Sequence, residues 1–508
     1  MLSYKDGYVS DITYTKGYYE ALNPLKAKLI FLQQGRRFPE VTNACELGFG
    51  QGVSVNFHAA GSQTSWYGTD FIEEHAINAR TLSAASGASL KLFDESIEAF
   101  CERADLPDFD FIGLHGVWSW ISSKNRSLIV RFLQKKLKPG GVVYVSYNAL
   151  PGSERKRAIK DLMALTVRHT RQTGSSADNV AYEALQLASK FLNLSARYQK
   201  TNPSVMDLIK ELGGSEVSYL AHEFLNEHLD PMSFSEVAKL LDEAGLSFVG
   251  DANSFRNISS LNLTKDQRIA LRDVDDSVLR ETMTDYLLNT EFRRDYWVKD
   301  DGSSEKGFDA AALEQTRVMN TSQKPTLPSH IRTNIGRVKL NTEIYSRLIE
   351  SLSCYQTKSI AEVETELSGA NISVGRTRQA LAVLSDLNQV ALVQNDAQAF
   401  ASYAQTQRLN RYILLEDPSL AERKILVSPV SGGGIRLTRL QMLFLREALV
   451  QGYDPDQWKL TEAQTRDLLR TNLGKVSVTQ RLTKEQFLDR AKTFFGDQRA
   501  FLSALKLV

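Results

Sequence analysis

The sequence predicts an α/β protein: a doubly wound, mostly parallel sheet with a helical insertion, followed by mainly helical C-terminal parts. Three observations carry this. From residue 41 to about 150, short apolar runs each end at Gly or Asp, and helix-compatible stretches separate them. That alternation is the pattern of a parallel sheet with helices on both faces. From residue 153 apolar residues recur at three- and four-residue spacing with no strand run between them, which predicts helices. Beyond residue 335 three short helical patterns precede a strand pattern, the order of a winged-helix unit.

Taken in order, "VTNACELG", "SWYGTD", "LKLFD", "FDFIGLHG" and "GGVVYVSYN" read as successive strands, with helices such as "VSVNFHAA" and "EEHAINARTLSAAS" between them. "ERKRAIKDLMALTVRHTRQ" and "NVAYEALQLASKFLNLSARYQK" read as inserted helices. "SFSEVAKLLDEAGLSFVGDA" reads as a helix opened by a capping box, Ser233 with Glu236, stopped at Gly245 and followed by a strand that completes the sheet. The expected divisions are an aromatic N-terminal lid at 1–40, a sheet domain at 41–260 with an insertion at 153–220, a helical middle part at 261–330, a winged-helix-like unit at 331–400 and a helical part at 401–508. Pro- and Ser-bearing linkers are expected at 301–307 and 321–330, and Gly432–Gly434 is expected to be a loop.

The chain of 508 residues is too long for one core and implies several domains. Its 61 basic and 60 acidic residues nearly cancel, which argues against a protein built to hold nucleic acid. Neither a signal peptide nor a long apolar span is legible, so a cytoplasmic protein without a membrane partner is expected. The cysteines, Cys45, Cys101 and Cys354, are too scattered for a disulfide framework and are expected to be reduced. No metal-ligand spacing is seen, so no metal is expected.

The run "CELGFGQG" carries the most chemistry. Glu46, Gly48, Gly50 and Gly52 alternate after an apolar strand, where glycines permit positive φ and close approach of a ligand. The dinucleotide fingerprint G-x-G-x-x-G fails, because Val53 and Val55 stand where its third glycine would be. The pattern acid-x-G-x-G-x-G instead resembles the first motif of class I S-adenosylmethionine-dependent methyltransferases. Asp70 and Asp94, each ending a later strand, and "LKPGG" before the fifth strand extend the resemblance in order. It implies a Rossmann-like fold. It also implies S-adenosylmethionine as cofactor, held by Glu46, Gly48, Gly50, Gly52, Asp70 on the ribose hydroxyls and Asp94 near the adenine, with Tyr14, Phe71 and Glu95 alongside.

Acceptor chemistry should follow strands four and five, in "HGVWSWIS" and "SYNALPG". Neither the Asn-Pro-Pro-aromatic motif of amino-DNA methyltransferases nor a Pro-Cys pair is present. An aromatic mouth remains, suited to attracting a cation and excluding water. With "YVSDITYTKGYYEALNP" and "FRRDYWVK", these runs resemble bacterial protein-lysine methyltransferases bearing a methyltransferase regulatory region, typified by rickettsial enzymes that modify an outer-membrane surface protein. The resemblance implies lysine methylation in a channel built by Tyr18, His115, Trp118, Tyr147 and Asn148, with Tyr19 and Trp120 binding the protein substrate. That substrate would be a surface or outer-membrane protein met before export. The resemblance also implies a homodimer formed through the inserted helices, and it makes the N-terminal tyrosines a lid. Plain packing roles stay open for Trp118, Trp120, His115 and the tyrosines. Two other functions compete: a small-molecule N- or O-methyltransferase, and a non-catalytic cofactor-binding regulator whose C-terminal part binds a partner or nucleic acid.

Overall fold

A computed structural model describes residues 4–5, 7–9, 14–170, 177–302, 310–322, 330–450, 452 and 499–507. Most of the two expected linkers, and all of the C-terminal part from 453 to 498, lie outside the described residues.

The chain opens with a two-strand ladder, β1 (Tyr4–Lys5) and β2 (Tyr8–Val9). Helix α1 (Pro24–Gln33) starts where Asn23 caps the N–H of Leu25 and Pro24 takes the first helical position. There follow β3 (Asn43–Leu47), α2 (Val53–Gly61), β4 (Ser65–Asp70), α3 (Glu73–Ser86), β5 (Leu90–Asp94), α4 (Ile97–Cys101), β6 (Phe109–Leu114), α5 (Ser123–Lys136) and β7 (Leu137–Asn148). The predicted strands and intervening helices are all present. One sheet face packs on α1, α2 and α3 through Trp66, Phe111 and Tyr144. The other packs on α4 and α5 through Ile112, Val143 and Tyr147.

Helices α6 (Glu154–Thr170), α7 (Ala177–Leu194), α8 (Ala196–Thr201), α9 (Pro203–Leu212) and α10 (Val217–Phe224) form the insertion; α6, α7, α9 and α10 share an apolar core that also receives Val9. Helix α11 (Phe234–Asp242) carries the capping box of Ser233 and Glu236, and β8 (Leu246–Asp251) returns to the sheet. Helices α12 (Ser259–Asn262), α13 (Lys265–Arg272) and α14 (Ser277–Leu288) lead into β9 (Phe292–Lys299).

Strand β9 corrects the reading of 261–330 as helical. It inserts antiparallel between β7 and β8, completing a seven-stranded sheet of order β5-β4-β3-β6-β7-β9-β8. The division expected at residue 260 therefore falls inside the sheet. "FRRDYWVK" lacks a strand's apolar face because Arg293 and Asp295 are fully buried. They compensate one another: Arg293 Nε donates to Asp295 Oδ2 at 2.8 Å, its Nη1 reaches Asp285 at 3.0 Å, and its guanidinium lies 4.3 Å from the Phe234 ring centre.

Beyond the sheet, α15 (Ala310–Gln315), β10 (Arg317–Asn320), the hairpin β11 (His330–Thr333) and β12 (Gly336–Lys339), α16 (Thr342–Ser351), β13 (Lys358–Ser359), α17 (Ile360–Gly369), α18 (Val374–Asp386) and β14 (Val390–Val393) form a unit with a small β13-β10-β14 sheet. Its core takes Leu29 and Leu32 from α1. Then come α19 (Asp396–Leu415), α20 (Pro418–Ala421), the hairpin β15 (Ile425–Ser428) and β16 (Gly433–Arg436), and α21 (Arg439–Val450). The glycines expected as a loop are partly strand. A Cβ on Gly433 would lie 2.6 Å from the Tyr18 hydroxyl, so the hairpin can approach the N-terminal segment only without side chains there. Every residue of α2 is buried, because this group closes over its outer side through Val53, Phe57 and Ala60.

Among the described residues no helix is long and apolar enough to cross a membrane, and no three His, Cys, Asp or Glu side chains gather as a metal site. The cysteines are free, with Cys45 buried and Cys354 exposed.

Candidate active site

The glycine loop leaves β3 at the carboxyl edge of the sheet. Gly48 and Gly50 have φ of 73° and 56°, which only glycine adopts without strain. They open onto a cavity of about 340 Å³ lined by the ends of β3, β4, β6 and β7, by the N-terminal segment and by α10. A Cβ on Gly50 would meet no atom within 4 Å.

Seven predicted cofactor residues, Tyr14, Glu46, Gly48, Gly50, Asp70, Phe71 and Glu95, line this cavity. Gly52 and Asp94 do not. Gly52 sits at φ 72°, and a Cβ there would fall 2.2 Å from the Ala79 Cβ, so this glycine serves the packing of α2 on α3. Asp94 is exposed on the edge strand, and the next residue, Glu95, turns inward instead.

Glu46 is buried and its Oε2 has no hydrogen-bond partner. Burial, with the nearby Asp70 adding to it, pushes this carboxyl well above the carboxylate range. A cation beside it would restore the ionised form. Asp70 is less free than the sequence suggested. Its Oδ2 accepts from Gly50 N–H at 2.8 Å, and its Oδ1 accepts from Ile72 N–H and His75 Nδ1, both at 3.1 Å. Tyr14 N–H donates to His75 Nε2 at 3.3 Å, which places the imidazole proton on Nδ1. Three of about four carboxylate acceptor positions are thus used, leaving room for one ribose hydroxyl rather than two.

Of the residues predicted for the acceptor, the cavity brings together Tyr19, His115, Trp120 and Asn148, and it leaves out Tyr18, Trp118 and Tyr147. Tyr19 stacks on His115 with ring centres 3.6 Å apart, and His115 Nδ1 lies 2.8 Å from the Tyr144 hydroxyl. Desolvation, with Arg294 nearby, lowers the His115 pKa to about 3. Trp118 and Trp120 bracket a 3-10 turn, Trp118–Trp120, whose tight winding sends them to opposite sides; Trp118 is fully buried in the core. Tyr147 points to the opposite sheet face from Asn148, as strand alternation requires, and its hydroxyl donates to Asp295 at 2.9 Å. Tyr18 lies between Phe57 and His58, accepts from Gly434 N–H at 2.8 Å, and borders a separate cavity of about 70 Å³.

Several lining residues were not anticipated. Tyr219, His222 and Glu223, three and four residues apart, present one face of α10 to the cavity. The rings of Tyr8 and Tyr14 lie 5.2 and 5.1 Å from that of His222. Lys156 Nζ donates to Glu223 at 2.6 Å and to Asn148 Oδ1 at 3.0 Å, and the Asn148 Nδ2 is buried with no hydrogen-bond partner. The helical spacing on α10 was readable, but not that α10 would dock at the sheet.

Comparison with known proteins agrees with this architecture. Residues 216–299 match the family described as "Predicted methyltransferase regulatory domain". The structure of PKMT2 from Rickettsia typhi in complex with AdoHcy superposes with a TM-score of 0.66 at 17% identity, covering 97% of this chain and 99% of that one. The fold is therefore that of class I methyltransferases, with residues 216–299 supplying α10 to α14 and the strands β8 and β9 of the sheet. An uncharacterised protein of Synechocystis sp. is 31% identical over 510 residues, 99% of each chain. An uncharacterised protein of Rickettsia prowazekii is 28% identical over 301 residues, 56% of this chain and 51% of that one. The chain belongs to one family with the uncharacterised Synechocystis protein.

Proposed function

We propose that the chain is an S-adenosylmethionine-dependent methyltransferase that modifies the side-chain amine of lysine in a protein substrate. The observation that supports this best is the cavity itself, where left-handed glycines, an unpartnered Glu46 oxygen and aromatic walls converge. Glu46, Gly48, Gly50, Asp70, Phe71 and Glu95 would hold the cofactor, with Tyr14 closing over them. When bound, that cofactor supplies an electrophilic sulfonium methyl group. Glu46 offers a buried acceptor suited to an ammonium group, and Gly50 leaves the loop open to close approach.

Tyr19, Trp120, Tyr219 and Phe292 line the acceptor end, where their rings favour a cationic side chain and keep water out. Asn148 is held in place by Lys156 on its carbonyl, with an unpaired amide N–H left over. His115 is a weak base, its pKa near 3, and burial raises the hydroxyls of Tyr14 and Tyr19. The amine attacks only once it has lost its proton, so the rate rises with pH until the amine is neutral. The reading includes a cytoplasmic homodimer acting on a surface or outer-membrane protein before export. The exposed Tyr182, Phe191 and Leu194 on α7 support pairing through the insertion.

Transfer of a tritiated methyl group from S-adenosylmethionine into a bacterial lysate tests it, read on a gel, by solvent extraction and by mass spectrometry. Label on protein lysine is expected. Label in extractable small molecules, on other side chains or on nucleic acid would refute the acceptor. No label, despite binding of S-adenosylhomocysteine, would leave a non-catalytic regulator.

A further inference from the structure

A second cavity, of about 370 Å³, lies between β8 and helices α12, α13 and α14, on the far side of β9 from the glycine loop. Arg256, Arg268, Arg272 and Arg280 line it, against two acids, Asp251 and Glu281. Both acids are already engaged. Arg256 Nε lies 3.2 Å from Asp251, and Glu281 lies 3.3 Å from the buried Arg293. Arg268, Arg272 and Arg280 form no ion pair among the described residues. Arg280 Nη1 donates only to the Val274 carbonyl at 2.9 Å. The Nε of Arg268 is buried with no hydrogen-bond partner.

We propose that this cavity is a second binding site, for a small phosphorylated molecule gripped by Arg268, Arg272 and Arg280. A buried guanidinium N–H without an acceptor is unfavourable until an acceptor arrives. Planar guanidinium forks match phosphate oxygens with paired, charge-assisted hydrogen bonds. The volume exceeds what a bare anion fills and falls at the lower end of small-molecule sites, about 300–1,000 Å³. Leu263, Leu271 and Leu288 furnish apolar wall for the body that carries the phosphate. The site is independent of the proposed methyl transfer.

The test is calorimetry on the full chain at low salt, with ribose 5-phosphate and inorganic phosphate as probes, with and without saturating S-adenosylhomocysteine to close the first cavity. Ribose 5-phosphate is expected to bind once per chain, at least tenfold tighter than inorganic phosphate, unaffected by S-adenosylhomocysteine and weakened by salt. Arg268→Gln and Arg272→Gln should each weaken it about tenfold. Arg272 is exposed, so its variant keeps the fold and the test stands even if Arg268→Gln destabilises the chain. Absence of binding, equal affinity for both probes, displacement by S-adenosylhomocysteine, or unchanged affinity in Arg272→Gln would overturn the proposal.

Discussion

Replacing Gly50 with valine separates ligand binding from folding. The residue sits at φ 56°, so any L side chain there adopts the left-handed region at a cost of about 1–2 kcal/mol. The Cβ itself adds no clash, because it meets no atom within 4 Å. For a domain of this size the strain lowers Tm by roughly 2–8 °C, well within the usual 5–15 kcal/mol of stability. The added carbons project into the space a cofactor would occupy, so affinity for S-adenosylhomocysteine should fall more than about 100-fold, or about 2.7 kcal/mol. Gly52→Ala is the contrast: its Cβ would collide with that of Ala79 at 2.2 Å, so stability fails first and binding only as a consequence. Calorimetry with S-adenosylhomocysteine and thermal melts measure both. Normal binding by Gly50→Val, with wild type binding, would show that the loop cradles no cofactor.

The two tryptophans should divide in the same way. Trp118→Ala opens the core and should cost about 3–5 kcal/mol in chemical denaturation, whereas Trp120→Ala should leave stability within about 1 kcal/mol and lower turnover. Equal losses of stability would contradict their placement. Tyr18→Phe removes the acceptor of Gly434 N–H and should cost about 1 kcal/mol with little change in turnover; a large drop in turnover at unchanged Tm would return Tyr18 to the channel. Burial lowers the pKa of His58 to about 4 and of His115 to about 3. Below pH 6.5 the unfolded chain therefore takes up protons that the folded chain refuses. Stability is full above that pH and declines as the pH falls toward 4. In His115→Asn the fall between pH 6 and 5 should be shallower by about 1.4 kcal/mol per pH unit, measured by denaturant titration; an unchanged slope would mean that His115 is protonated in the fold.

What the sequence disclosed follows from where physical signals are local. Alternating apolar runs encode the parallel strands, and the left-handed Gly48 and Gly50 are written directly as glycines. Strand β9 was hidden because Arg293 and Asp295 break its apolar face, and two of their partners, Phe234 and Tyr147, lie far away in sequence. The direction of a side chain within a tight turn is likewise not local, so Trp118 and Trp120 looked equivalent. Tyr18 and Tyr19 looked equivalent too, yet one seals a core and the other faces the cavity. Asp70 read as a free acceptor because the donors that occupy it are the loop's own N–H, that of Ile72 and the unpredicted His75.

The burial of α2 bears on how the molecule is made. The helix behind the glycine loop is sealed by residues synthesised hundreds of positions later: Gln394 donates to Gly61 O at 2.7 Å, Gln405 to Ser62 O at 2.9 Å, and a Cβ on Gly61 would lie 2.6 Å from the backbone of Gly432. During translation the first strands can pair as they emerge, but this helix must keep an apolar side in water until the hairpin of β15 and β16 leaves the ribosome. Loop closure over such separations is slow and leaves the unsealed surface open to aggregation or to a chaperone. The cradle is thus encoded early and finished late, so a nascent chain stalled before residue 425 would display the glycine loop without the support that holds it in place.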